Sequence, residues 1–365
     1  MTLAVNLAQG ASNNVTFRNR IINGGMVIDQ RNNGASISLG SSPLYAVDRF
    51  ESRVAQGSGH TGQRVSTAPV GFNNSLKITI GTGGSPTAGQ NTFINQQIEG
   101  FNFADLGWGT ANAKTITVSF MVYSSLTGTF AYGISNNALN RSYVATYSIP
   151  VANTWTSISL TIPGDTSGTW IGATNGVGSY NFWDLGSGSD RNTATAGVWV
   201  ADFVTKTSAT VNVAGTSGAT FYITGVQLEA GTTASPFEYR QYGTEFSLCQ
   251  RYCYVFRSDA TGLYSNIGFT TVFDTVNQVA GITLPVPMRI TPTITYSSLS
   301  NLAIHAPGLV RVAITSIGLN TSQSNNFRVC VATTTAVATD LVNLRSCFFE
   351  FNNTSTGWLA FAAEL

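Results

Sequence analysis

Four aromatic side chains and two amides crowd one short stretch of the chain: Trp170, Asn175, Tyr180, Asn181, Phe182 and Trp183. A sugar ring presents an apolar C–H face that lies well on an aromatic ring, and amides bind its hydroxyls. The stretch 176–197 is rich in Gly and Ser and reads as a loop, and these six residues, which flank or occupy it, are candidates for glycan binding. Burial in a core is the commoner fate of an aromatic residue, and Trp155 and Trp199, in strand-like runs, are read that way. Asp184 and Asp190 share the loop. Two carboxylates suit glycoside hydrolysis when they flank the bond about 5–10 Å apart. With carbonyl oxygens they also suit Ca²⁺, which takes roughly six to eight oxygen ligands. Solvated loop acids are the plainer reading of the same pair.

Other chemistry finds little support. There is no Gly-x-Ser-x-Gly elbow, and His60 and His305 each stand far in sequence from any apparent nucleophile. The four cysteines, Cys249, Cys253, Cys330 and Cys347, form no familiar zinc spacing with those histidines and are too few for a disulfide scaffold. They read as buried thiols. Gly57-Ser-Gly-His-Thr-Gly62 matches the dinucleotide-binding pattern formally, but that pattern opens a helix, and 63–70 contains Pro69 and alternates as a strand or loop. No catalytic residue is assigned, and calcium at Asp184 and Asp190 is the one cofactor weighed.

Composition narrows the class further. Of 365 residues, 18 are basic and 17 acidic, a net charge of +1, and only 10% are charged, against about 25% in typical domains. With 43% apolar residues the chain is not a disordered polyelectrolyte. Nor does it have the cation excess that releases counterions from nucleic acid. No uninterrupted apolar run is long enough for a membrane-spanning helix. The first nine residues lack the basic start and apolar run of a signal peptide, so synthesis in a cytoplasm is expected. A weakly charged surface repels its own copies poorly, which suits an assembly. Arginines outnumber lysines fifteen to three, and guanidinium groups suit persistent, partly buried pairs. Arg49 beside Asp48 and Arg240 near Glu238 are candidates, with partners expected elsewhere in the fold or on another subunit.

The elements that must position these residues follow a period of two. In 114–123, Ile116, Val118, Phe120 and Val122 share one face. The run 155–162 carries Trp155, Ile158, Leu160 and Ile162. In 221–228, Phe221, Ile223, Gly225 and Gln227 alternate with Tyr222, Thr224, Val226 and Leu228. Turn signals such as Asn23-Gly24, Asn33-Gly34 and Asn175-Gly176 fall between runs, so the sheets are expected to be antiparallel and to pack as a sandwich. One segment departs from this. In 244–257, Phe246, Cys249, Tyr252, Cys253 and Phe256 recur at three- and four-residue steps, which predicts a helix capped by Thr244 with Glu245 in its first turn. That apolar face either packs around a three-fold axis or covers its own sandwich. Beyond it, 263–271, 281–284, 291–296, 310–317, 327–332, 347–351 and 358–362 are strand candidates.

Several segments together resemble phage and prophage tail-fibre proteins. They are Phe17-Arg-Asn-Arg-Ile-Ile-Asn-Gly-Gly-Met-Val-Ile-Asp29 with Gln30-Arg-Asn32, Tyr45-Ala-Val-Asp-Arg-Phe50, and Phe221-Tyr-Ile-Thr-Gly-Val-Gln-Leu-Glu-Ala-Gly231. Pro236-Phe-Glu-Tyr-Arg240, Tyr242-Gly-Thr-Glu245, Leu248-Cys-Gln-Arg-Tyr252, Leu284-Pro-Val-Pro-Met-Arg289, Thr291-Pro-Thr293 and the ending Ala363-Glu-Leu365 continue the series. The middle, about 65–230, is similar to the jelly roll of carbohydrate-binding modules, through Ser75-Leu-Lys-Ile-Thr79, the strand to Tyr123, and Trp155 leading to Pro163-Gly-Asp165. The resemblance implies a virion structural protein, usually a homotrimer, attached through its N-terminal end and presenting distal domains to the host. It supplies no ligand.

The expectation is therefore an all-β protein in parts: an N-terminal virion-attachment arm (1–14), a jelly-roll-like antiparallel sandwich (15–243), a linking helix (244–257) and a second β domain (258–365). The expected function is a non-enzymatic fibre or spike subunit, located in the virion, with copies of itself, other virion proteins and a host glycan or receptor as partners. No nucleic-acid partner and no membrane insertion are expected. The alternatives are a structural virion piece without receptor binding, such as a head-decorating fibre or tail connector, and a polysaccharide depolymerase. A free-standing carbohydrate-binding module of a secreted enzyme is a further one.

Overall fold

Alternation at every second residue turns this chain into strands, and the computed structural model arranges them in largely antiparallel sheets with one α-helix among the described residues. The structure describes residues 17–258, 264–272, 277–305, 311–319, 329–335 and 346–365. The expected arm at 1–14 lies outside the described residues. Two compact units divide the chain, 1–245 with Leu365 and 246–364.

The first unit runs through β1 (Ile37–Leu39), β2 (Leu44–Val47), β3 (Phe50–Arg53), β4 (His60–Val65), β5 (Ser75–Thr79), β6 (Phe93–Glu99), β7 (Ile116–Ser124) and β8 (Gly128–Ser135). It continues with β9 (Ser142–Ile149), β10 (Thr156–Ile162), β11 (Val177–Asp184), β12 (Asn192–Thr193), β13 (Trp199–Val200), β14 (Lys206–Thr207) and β15 (Thr220–Ala230). One sheet has the order β1-β4-β5-β15-β7-β10 and the other β13-β9-β8-β11-β6-β3-β2. Together they make the expected jelly-roll-like sandwich. Leu76, Ile78, Val118, Phe120, Val122 and Phe221 on one sheet meet Phe50, Ile94, Phe130, Tyr132, Ile134 and Trp183 on the other in a single buried core. Each such side chain stabilises the fold by about 1.5–3 kcal/mol relative to exposure.

Strict alternation fails in the long strand β15. Pairing of β15 with β7 slips between Thr224 and Gln227, where Gly225 adopts φ +64°. The extra residue switches the inward face from Phe221 and Ile223 to Val226 and Leu228, all four fully buried. A Cβ on Gly225 would lie 2.6 Å from the Phe72 ring. The bulge thus needs glycine both for its backbone and for its space.

Three of the segments that resemble fibre proteins, around residues 19–28, Asp48 and residues 238–245, meet in one polar clasp. Arg240 pairs with Glu238 at 3.3 Å and Glu245 at 3.2 Å, and its side chain is only 7% exposed. It also donates to the carbonyl of Ile21 at 3.1 Å. The Glu238 carboxylate accepts from the Asn19 amide at 3.0 Å, and Glu245 from the Asn23 amide. Asn23 in turn donates to the carbonyls of Ile28 (2.8 Å) and Asp48 (2.9 Å). Residues 19–28, which contain no strand, gain their backbone partners this way. Arg49, whose guanidinium donates to the Gln97 carbonyl at 2.7 Å, also finds a contact away from its neighbour, as expected for adjacent residues.

The linking segment differs from expectation. The helix, α1, spans Tyr242–Gln250, so Thr244 lies inside it rather than capping it, while Glu245 does sit in the first turn. Residues Cys253–Arg257 then form β16, paired antiparallel with Trp358–Ala362. The run Tyr-Val-Phe has strong strand propensity, and the available sheet edge overrides the helical spacing. Phe246, Cys249, Tyr252, Cys253 and Phe256 therefore do not share a helical face. Cys249, Tyr252 and Cys253 are already buried within one chain, and Phe256 packs edge-on against Phe361. A three-fold helical seam through these five residues is not available.

The second unit contains that three-stranded sheet, completed by Thr293–Tyr296, and a seven-stranded antiparallel one that includes Asn266–Val272, Asn277–Thr283, Leu302–His305 and Ser346–Phe351. Its core gathers Ile282, Leu302, Ile304, Phe349, Phe351, Leu359 and Phe361. Cys347 is buried, like Cys249 and Cys253.

Replacing Arg240 by Met leaves two nearly buried carboxylates uncompensated, and chemical denaturation is expected to show a loss of about 3–5 kcal/mol; a loss under about 1 kcal/mol, the worth of a surface pair, contradicts the clasp. Gly225→Ala is expected to destabilise by about 1–3 kcal/mol or more through its left-handed backbone and the Phe72 contact, measured as a lower denaturation midpoint.

Candidate functional site

The expected loop at 176–197 begins as a strand, and this separates the predicted residues. On β11, Trp183 and Asn181 point inward. Trp183 is fully buried against Phe50, Phe120 and Tyr132. Asn181 is fully buried too; its oxygen accepts from the Tyr132 hydroxyl at 2.6 Å and its amide donates to the Gln96 carbonyl at 2.9 Å. Both are core residues rather than glycan contacts, because the two-residue period sends every other side chain into the sandwich. Trp170 sits elsewhere, stacked on Phe103 at 5.6 Å and edge-on to Trp108 at 4.7 Å and Trp199 at 5.7 Å. Its indole donates to Asp165, which also binds Arg141 in bidentate fashion at 2.9 and 2.6 Å. Burial pushes the Asp165 carboxyl up, but hydrogen bonds from Arg141, Trp170 and Ser167 outweigh it and hold the group below its usual range. Asn175 is half-buried in the bend before β11.

Tyr180 and Phe182 are the two predicted residues that the structure brings together. Both project from the outer face of the seven-stranded sheet, with rings stacked at 5.7 Å and 3°. Phe182 also meets Phe93 at 4.8 Å and Phe203 at 5.4 Å. Register defines the surroundings. Asn95 lies opposite Phe182 on one side and Glu51 on the other, and Gln97 lies opposite Tyr180. Arg53 lies opposite Phe93, with its guanidinium 5.8 Å from that ring, and it pairs with Glu51. Arg191 covers Phe203 at 4.5 Å. Tyr180, Gln97 and Arg53 are half-buried, whereas Glu51, Phe93, Asn95 and Phe182 are buried.

Two acceptors on this face stand out. Asn95 Oδ1 and Gln97 Oε1 are buried without a hydrogen-bond partner. An unsatisfied buried acceptor costs about 1–3 kcal/mol, so a pair of them on adjacent outward positions of one strand is unfavourable for the fold. The Asn95 amide nitrogen reaches Glu51 at 3.4 Å. Burial, then the Glu51 carboxylate, pushes the Tyr180 phenol up, so it remains a neutral hydroxyl over the physiological range. Farther along the sheet the outer face is closed. Ala131 and Val144 are covered there by Val200 and Val204.

The acidic pair is separated in environment. Asp184 is fully buried; one oxygen accepts from the Gly186 and Ser187 amides at 2.8 and 3.1 Å and the other from the Thr205 hydroxyl at 2.6 Å. It anchors the turn after β11. Asp190 is exposed in a short 3₁₀ turn. No group of three or more His, Cys, Asp or Glu placed to hold a metal occurs among the described residues.

Sequence reasoning missed Glu51, Arg53, Phe93, Asn95, Gln97 and Phe203. One signal was present. The run Asn95-Gln-Gln97 puts three amides inside a strand whose Ile94 and Ile98 mark the inward face, and Asn is uncommon in strands.

No protein-family model matches the chain, and no curated protein matches its sequence. Solved structures similar to it include the enzymatically active domain of tailspike protein 4 of bacteriophage CBA120, with 15% identity and a TM-score of 0.31 over 59% of this chain and 22% of that one. A CBM4 structure shows 15% identity and a TM-score of 0.29 over 57% of this chain and 98% of that one. The family 11 carbohydrate-binding module of Clostridium thermocellum, in complex with a β-1,3-1,4-mixed-linked tetrasaccharide, shows 13% identity and a TM-score of 0.28 over 55% of this chain and 98% of that one. The chain thus spans about a fifth of the tailspike's length.

Proposed function

We propose that the first unit binds a glycan on the outer face of its seven-stranded sheet, and that the chain is a virion fibre or spike subunit, homotrimeric and non-enzymatic, that attaches to a host surface. The observation that carries the binding reading is the adjacency of the stacked Tyr180 and Phe182 rings to two orphaned amide oxygens, Asn95 Oδ1 and Gln97 Oε1. A pyranose laid against Tyr180 presents C–H groups to the ring, and its hydroxyl donors meet those acceptors once the side chains over them turn aside, with Arg53 at the rim. Binding then satisfies groups that the fold alone leaves strained. The use of Asp184 as a turn anchor supports binding over hydrolysis. The virion role rests on the ordered resemblance of segments from Phe17 to Leu365, with 1–14 as the attachment arm.

A purely structural virion role is the second reading, favoured by the clasp, which occupies many of the resembling residues with fold stability. Excess purified protein separates the two: a receptor binder blocks phage adsorption and a structural piece does not. A solution mass of three times the chain mass is the expected result for the trimer; a monomer at micromolar concentration contradicts it.

On a glycan panel, Tyr180→Ala is expected to weaken the best binder about tenfold, equivalent to about 1.4 kcal/mol. Asn95→Leu is expected to weaken it as well while holding or raising fold stability by about 1 kcal/mol, since it removes an unsatisfied acceptor. Unchanged affinity in both variants contradicts the assignment of this face.

A further inference from the structure

The six-stranded sheet also has an outer face, and one transverse row of it is aromatic. Register places Gln63 opposite Lys77, Lys77 opposite Tyr222, and Tyr222 opposite Tyr123. Trp155 immediately precedes Thr156, which pairs with Val122, so it falls at the end of the same row. The Tyr123 ring lies 4.9 Å from Tyr222 and 5.6 Å from Trp155, and Lys77 Nζ lies 5.6 Å from the Tyr222 centroid. All five side chains are half-buried rather than core, Trp155 included. Neighbouring strands sit about 4.8 Å apart, so the three rings and the ammonium group form a line of roughly 15 Å.

Charge on this face is simple. In these six strands the charged residues are Arg64, Lys77 and Glu229. Arg64 donates to the Val27 carbonyl at 3.1 Å, and Glu229 is buried and lies 3.6 Å from Arg18. Among the charged residues of these strands Lys77 is left as the one outward cation, beside the Tyr222 ring. Three contiguous outward aromatics are unusual on a soluble surface and point to a contact. Single-stranded nucleic acid also stacks on such rings, but it needs a cationic groove along its backbone, and one lysine with a net charge of +1 does not make one.

We propose that this row is a second carbohydrate contact, for an extended acidic polysaccharide whose rings lie across Trp155, Tyr123 and Tyr222 and whose carboxylate meets Lys77. Ring faces supply the apolar contact, successive rings lie about one sugar unit apart, and the cation selects for uronate or a similar acid. This contact is of the same ligand class as the proposed function but lies on the opposite sheet from Tyr180, so either surface fails or stands without the other.

The full chain is titrated calorimetrically with polygalacturonate oligomers, and separately with neutral dextran and a single-stranded oligonucleotide. Wild-type protein is expected to prefer polygalacturonate. Trp155→Ala and Tyr222→Ala are expected to weaken it about tenfold each, and Tyr222→Phe to preserve it. Lys77→Gln, an outward polar substitution that leaves the core intact, is expected to weaken it severalfold and flatten its salt dependence. Tyr180→Ala is expected to leave it unchanged. No binding of polygalacturonate, equal binding of dextran, tighter binding of the oligonucleotide, or unchanged affinity in Trp155→Ala and Lys77→Gln each overturns the proposal. So does a self-association that Trp155→Ala abolishes, which makes a second copy the occupant. Loss of binding in Tyr180→Ala alone assigns acid binding to the other face and overturns it too.

Discussion

Packing two sheets face to face fixes the direction of every side chain in them. Each strand gives alternate residues to the core, and whatever remains points outward. In this protein the inward set is mainly apolar, from Phe50, Ile94 and Trp183 on one sheet to Val118, Phe120 and Phe221 on the other. Function in the first unit is therefore confined to outward positions and connections. The outward positions are where the chain places stacked rings, orphaned amide oxygens and a lone outward lysine, none of which the core requires.

The alternation itself was legible. The inward face of β7, with Ile116, Val118, Phe120 and Val122, is as the spacing predicts, and so are several strands of the second unit. Phase within a short aromatic run was not. Tyr180-Asn-Phe-Trp183 offers no break between apolar and polar positions, so spacing alone does not say which two residues go inward. The partners Tyr132 and Gln96 decide it, and they lie far away in sequence. The bulge at Gly225 is similar, because a single glycine reverses the facing of Val226 and Leu228. The helix prediction overran for another reason. Cys253–Arg257 has the spacing of a helix and the composition of a strand, and the edge offered by Trp358–Ala362 settles the competition.

The clasp around Arg240 gives a physical meaning to the segments that resemble fibre proteins. Asn19, Asn23, Glu238, Arg240 and Glu245 tie the strandless start of the first unit to the end of β15. Such residues are hard to change, because removing one leaves a buried charge or a backbone group without a partner. The motif residues of the first unit thus describe how its sandwich is closed. The outward rows, which carry the proposed contacts, take no part in that clasp.

Amide hydrogen exchange with and without a bound glycan locates the binding surface along the chain without any substitution. The prediction is slowed exchange concentrated in strands of the sandwich, above all β3, β6 and β11, with the turns between them and residues 246–364 unaffected. Protection restricted to those turns or to the second unit would contradict the claim that outward sheet faces are the binding surfaces of this protein.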